Sequence, residues 1–156
     1  MSYIVLEKKE KIEGRCHKKS CKITVEEYNN IISGDLTDLV FETGKKLVKE
    51  LAIDMLIHNY TPKVIIDYER IAYVEEITNV RVTFDMKIAA SYELEHFLDG
   101  DYTKFYVNIG GWNVLEVKFD DILPSHIRNI VESYRFTQGS FSKYYYGRKI
   151  LDCYMR

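Results

Sequence analysis

Arg81, Thr83 and Asp85 stand at alternate positions in the run "NVRVTFD", with Val80, Val82 and Phe84 as their apolar neighbours. In an extended strand this alternation sends the polar side chains to one face and the apolar ones to the other. The habit recurs: Glu7, Lys9 and Lys11 share a parity in "VLEKKEK", Tyr68 and Arg70 in "DYERIAY", and Glu116 and Lys118 in "VLEVKF". Cations so arranged grip phosphate oxygens, arginine as a bidentate fork and lysine as a point charge. A few carboxylates among them would repel a polyanion unless they held a divalent metal bridging its oxygens. Many cations with an occasional acid therefore fit metal-assisted phosphoryl transfer. Periodicity leaves one alternative open, a wet sheet face laced by cross-strand salt bridges.

The elements that would position these residues follow from pattern and punctuation. Residues 3–11 read as a strand, and 15–23 pair back on it with Glu13 and Gly14 near the turn. Thr24 and Glu27 form a capping-box pattern before a short helix that Gly34 can end. A longer helix is predicted over 37–58, burying Leu39, Val40, Leu47, Val48, Leu51 and Met55, with Pro62 closing it. Residues 64–85 hold two strands joined at Glu76 to Asn79. Two more strands, 104–109 and 112–119, flank Gly110 and Gly111 as a hairpin. Pro124 opens a helix to about Tyr134 with Ile127, Ile130 and Val131 on one side, and the tail 141–154 is read as helical. The expected class is α+β, a curled and mostly antiparallel sheet whose charged faces converge on a polar tunnel or groove while helices pack outside.

Composition bounds the function classes. At 156 residues, 46% hydrophobic and 29% charged, the chain reads as one domain with a real core. A net charge of -2 argues against general nucleic-acid binding. The cations are nonetheless concentrated: Lys8, Lys9, Lys11, Arg15, Lys18, Lys19 and Lys22 face only Glu10 and Glu13, and Lys143, Arg148, Lys149 and Arg156 face Asp152. No apolar run reaches membrane-spanning length and the start is charged rather than signal-like, so no membrane segment is expected. Cys16, Cys21 and Cys153 are odd in number and irregularly spaced, which predicts free thiols in a reducing, cytoplasmic setting. Cys16, His17 and Cys21 lack the second ligand pair of a zinc site and are expected to be buried thiols. His58, His96 and His126 have no nucleophile partner in view, and Tyr144, Tyr145 and Tyr146 are expected to anchor the C-terminal tail.

Taken together, "YERIAYVEEITNVRVTFD", "VLEVKF" with Leu123-Pro124 after it, and "SKYYYG" resemble the VTC (vacuolar transporter chaperone) domain, a family of the triphosphate tunnel metalloenzymes. "VLEKKEK" followed by "HKK" is similar to that family's first "LExKxK" strand pair. The resemblance runs from about Ile4 to Gly147 and implies polyphosphate synthesis from ATP, with Mn²⁺ or Mg²⁺ as cofactor. Residue by residue, it implies that Arg70, Arg81, Lys118 and Lys143 act in catalysis on the phosphate chain. Tyr68, Lys9, Lys11, Lys18, Ser142 and Tyr144 would contribute to phosphate binding, and Glu116 would ligate the metal. Asp85 and Glu7 face the same way, as further metal ligands or, slightly ahead, as salt-bridge partners.

The chain departs from the pattern in three places. The family's strands upstream of "LExKxK" are expected to be missing, the basic position three before the "SKY" lysine is Ser140, and the family's "KRR" is Lys18-Lys19-Ser20. Two rival functions follow, a non-catalytic polyphosphate- or nucleotide-binding module and a triphosphatase; a homo-oligomer is compatible with each.

Overall fold

The computed structural model describes residues 3–13, 15–107, 113–134, 136 and 138–155, the side chain of Arg15 excepted. Gly14, the Gly110-Gly111 turn pair and Arg156 lie outside the described residues. The chain divides into two compact units, Met1–Lys63 and Val64–Arg156.

The first unit opens with β1 (Ile4–Ile12) and β2 (Arg15–Ile23), an antiparallel hairpin in which Lys9 lies opposite Lys18 and Lys8 opposite Lys19. Alternation sorts its faces as predicted: Leu6, Cys21 and Ile23 pack against a core of Ile31, Leu36, Leu39, Val48, Ala52 and Met55. Cys21 is half-buried but Cys16 is exposed, which corrects the expectation of buried thiols; all three cysteines are free. Helix α1 (Val25–Ser33) starts on a complete capping box, Thr24 Oγ1 accepting from Glu27 N and Glu27 Oε2 from Thr24 N, and stops at Gly34, whose φ of 80° a glycine adopts without strain.

The expected long helix is two helices, α2 (Thr37–Phe41) and α3 (Lys46–His58). The break falls at Glu42–Lys45, where Gly44 and β-branched Thr43 weaken the helix and Glu27 rewards its interruption. Thr43 Oγ1 and Lys45 Nζ both donate to the Glu27 carboxylate, at 3.2 and 2.6 Å. Asn59 ends α3 in the left-handed region with φ 56°, three residues before Pro62.

In the second unit β3 (Ile65–Glu75) and β4 (Val80–Ser91) pair across the expected turn, with Asn79 at φ 52°. The register brings Arg70 opposite Asp85 and Ala72 opposite Thr83. One extra residue in β4 opposite Asp67–Glu69 makes a bulge there, with Lys87 at φ 50° and its Nζ donating to Glu69. Strands β5 (Phe105–Tyr106) and β6 (Val114–Lys118) do not form the predicted hairpin. Both pair antiparallel with β4 along the same edge, β5 at Ala89–Ala90 and β6 at Arg81–Asp85, so they run in one direction like a single interrupted strand. Five helices and antiparallel sheets make the class α+β, and neither sheet closes on itself among the described residues.

Helix α4 (Ser125–Ser133) follows Pro124 as predicted, but none of its residues is buried. Helix α5 (Lys143–Tyr154) is capped by Ser142, whose Oγ accepts from Tyr145 N at 3.2 Å. Its buried positions are Gly147 and Leu151, whereas Tyr144, Tyr145 and Tyr146 are substantially exposed, so glycine and leucine rather than tyrosines seat the tail. Gly147 lies over Ile66 and Ala90, which belong to the face carrying Tyr68 and Arg70. The helix therefore covers the polar face. Thr83 and Asp85 are 2% and 0% exposed, while Ile71, Tyr73 and Phe84 on the opposite face are 46%, 62% and 37% exposed. This inverts the expectation of helices over the apolar face only. No helix among the described residues is long and apolar enough to cross a membrane.

A Cβ at position 147 would stand 2.3 Å from Ile66 Cδ1 and 3.2 Å from Ala90 Cβ. The isoleucine tip can yield, but the Ala90 methyl moves only with the strand. Gly147→Ala is expected to lose about 1–3 kcal/mol of stability, read as a lowered urea midpoint at unchanged slope. An unchanged or higher midpoint would contradict this packing.

Candidate functional site

Six of the residues singled out in the sequence share one face of the β3–β4–β6 sheet. Arg70 lies opposite Asp85, Thr83 opposite Glu116, and Arg81 opposite Lys118. Helix α5 adds Lys143, the first residue after its cap, which reaches down to the same face.

Asp85 is the point where these meet. Arg70 donates Nε to Oδ1 at 2.5 Å and Nη2 to Oδ2 at 2.7 Å, and Lys143 Nζ stands 2.5 Å from Oδ2. A buried carboxylate is costly unless it is paired and hydrogen-bonded, and here both oxygens are met by charge-assisted donors. The Arg70 hydrogen bonds hold the Asp85 carboxyl below the usual carboxylate range; burial opposes them and Lys143 adds to them. The same bonds push the Arg70 guanidinium further up from its ordinary value. The Tyr68 ring packs against both cations, 5.1 Å from Arg70 Cζ and 4.9 Å from Lys143 Nζ.

Farther along the face the site opens. Arg81 and Lys118, directly opposite, are like charges that repel across the strands. Lys118 Nζ is 3.2 Å from Glu116 Oε1. Between these two ends lies Thr83, whose Oγ1 is buried without a hydrogen-bond partner.

The remaining predicted residues stand elsewhere. Glu7, Lys9, Lys11 and Lys18 belong to the hairpin of the first unit, where Glu7 joins the opposed lysines. Its carboxylate is 2.5 Å from Lys18 Nζ and 3.5 Å from Lys9 Nζ. The hydrogen bond from Lys18 lowers the Glu7 carboxyl from its ordinary value. Ser142 is occupied as the cap of α5, and Tyr144 is exposed on its first turn.

Two features of the site go beyond the sequence expectations: Asp85 gathers both Arg70 and Lys143, and the Tyr68 ring packs against both cations. Part of this was within reach. Counting six residues outward from each end of the Glu76–Asn79 turn pairs Arg70 with Asp85. Lys143 carried no such signal, because its approach depends on where α5 docks.

No group of three His, Cys, Asp or Glu side chains that could hold a metal ion is gathered among the described residues. One carboxylate is still enough for Mg²⁺ when phosphate oxygens and water complete its octahedron, and Glu116, on the open part of the face, is of that kind. Both oxygens of Asp85 are already taken by cations.

A carboxyl whose folded pKa is depressed stabilises the fold above its unfolded value, about 3.9, and that contribution is lost as pH falls through the folded value. Urea unfolding followed downward from about pH 5 is expected to show stability falling on acidification. The fall should be shallower in Asp85→Asn, because Glu7 and other depressed carboxyls remain in both chains. Equal slopes in the two chains would sink the assignment.

A family model of the VTC domain matches residues 1–152, while no curated protein and no solved structure matches. Match and motif order agree over nearly the whole chain, and the chain belongs to the VTC domain family.

Proposed function

We propose that this chain binds polyphosphate and ATP on the polar face of β3–β4–β6, as one wall of a phosphate channel, and synthesises polyphosphate by phosphoryl transfer. Family membership supports a polyphosphate-related function in general terms. One observation carries the reading to particular residues: Arg70, Arg81, Glu116 and Lys118 share one sheet face that Lys143 also reaches.

Chemistry at this site needs no protein nucleophile. A terminal oxygen of the growing chain attacks the γ-phosphorus of ATP, the bond from that phosphorus to the β–γ bridging oxygen breaks, and ADP leaves. Arg70 and Lys143 bind phosphate oxygens at the covered end of the face, and Arg81 and Lys118 at the open end. The repulsion between Arg81 and Lys118 is relieved by an anion laid across them. Together the four cations orient the polyanion and offset charge on the transferred group. Glu116 would hold Mn²⁺ or Mg²⁺, which supplies further neutralisation at the phosphoryl oxygens when bound. The Lys9–Lys18 pair of the first unit, with Lys11 beside it, forms a second set of phosphate contacts by the same logic. The free thiols support a reducing, cytoplasmic setting.

A binding module without turnover is the second reading. It is favoured by the internal pairing of Arg70, Lys143 and Lys118 with this chain's own carboxylates, which limits how far they can follow a moving phosphate.

Calorimetric titration with tripolyphosphate, with and without Mn²⁺, tests the site. Arg70→Ala and Arg81→Ala are each expected to weaken binding by about 1.5–3 kcal/mol, the usual size for charged hydrogen bonds. Absent binding, or binding indifferent to both substitutions, would contradict the assignment. Incubation with ATP then divides the readings: ADP with chain growth marks synthesis, orthophosphate without growth marks a triphosphatase, and no turnover marks the binding module. In the first case Glu116→Gln should weaken the response to Mn²⁺ while tripolyphosphate binding in metal-free buffer persists.

A further inference from the structure

We infer that Asp85 is a positioning residue that holds Arg70 and Lys143 as one fixed pair of cations and turns their remaining N–H groups toward a single phosphate group. This deepens the phosphate reading above and rests on it.

The geometry separates positioning from competition. A carboxylate beside a phosphate site could equally act as a rival anion, occupying the cations that the ligand needs. Asp85, however, has no exposed surface, whereas the side chains of Arg70 and Lys143 are 37% and 22% exposed. An incoming anion therefore meets the cations first, with the carboxylate behind them. Asp85 engages two of the five N–H donors of a guanidinium and one of the three of an ammonium, leaving the others for a ligand.

Each cation also needs the carboxylate to remain where it is. Lys143 sits in the first turn of α5, where the positive end of the helix dipole disfavours a cation. Arg70 and Lys143 are bound to the same carboxylate oxygen pair, close enough to repel one another without it. Asp85 leaves the trio with a single net positive charge, and Tyr68 limits the swing of both side chains. Beside it, the β4 bulge at Lys87 pairs that lysine with Glu69, so a third cation is tied off instead of joining the cluster.

Electrostatics and positioning predict opposite signs for Asp85→Asn. Removing a negative charge should tighten an anion, while loss of the clamp should weaken it. The expected result is about tenfold weaker tripolyphosphate binding, a charged hydrogen bond's worth, despite the more positive chain. In an Arg70→Ala/Lys143→Ala background, Asp85→Asn should no longer weaken the residual affinity, because the clamp acts only through those two residues. Tighter or equal binding in the single variant, or the same loss in the double background, overturns the proposal.

The Arg70 Nε–H resonance of the ligand-free chain provides a readout independent of phosphate. It is expected to be sharp and protected in the natural chain and lost in Asp85→Asn; persistence in the variant overturns the clamp even if binding falls. If the natural chain binds no tripolyphosphate, the functional reading fails, and this resonance alone decides the positioning. Should Asp85→Asn not fold, Asp85→Glu shifts the same charge by one methylene. Weakened binding at a preserved melting temperature then supports the clamp, and unchanged binding overturns it.

Discussion

A carboxylate withdrawn from water must be met by cations on both oxygens or surrender its charge. At Asp85 that constraint organises the second unit. The carboxylate is reached from a neighbouring strand by Arg70 and from a helix by Lys143, so the β3–β4 register and the docking of α5 have to be right together. Breaking a buried pair by removing one partner costs about 3–5 kcal/mol in general, which links the site to the fold more tightly than surface ion pairs could. Gly147 completes the arrangement from the other side. Without a side chain it lets α5 lie on Ile66 and Ala90, and this brings the start of the helix to the carboxylate.

The sheet is consequently built the reverse of an ordinary half-buried one. Its polar row passes under a helix while Ile71, Tyr73 and Phe84 remain exposed on the other face. A surface intended only for water would have no need of buried Thr83 and Asp85. The cross-strand lysine–arginine pair at the open end is likewise a poor choice for stability and a good one for gripping a polyanion. A fold that accepts both a buried acid and opposed cations gives up stability where a ligand would restore it.

Much of this was legible from residue types. Alternation and turn residues located the four long strands, although β4 runs on to Ser91, past the expected end at Asp85; Thr24 and Glu27 marked the start of α1, and the motif order led to the VTC domain family that the family model confirms. What failed did so for identifiable reasons. Apolar residues on both sides of residues 42–46 share helical spacing, but Thr43 and Gly44 weaken the helix there and the pull of Glu27 on Thr43 and Lys45 breaks it. Gly110 and Gly111 look like a hairpin turn locally, yet β4 is long enough to pair with both flanking strands in series. The face that a helix covers cannot be read from alternation, which sorts residues into two faces without saying which is inside. Arg70 with Asp85 was countable from the turn; Lys143 joining them was not, because it is a long-range contact set by helix docking.

In the proposed function a phosphate chain lies on the polar face of β3–β4–β6. A crystal structure with tripolyphosphate bound tests it most directly. Phosphate oxygens are expected within hydrogen-bonding distance of Arg70, Arg81 and Lys143, with Asp85 still paired behind them. Density for the ligand elsewhere, with these three side chains unengaged, would contradict it.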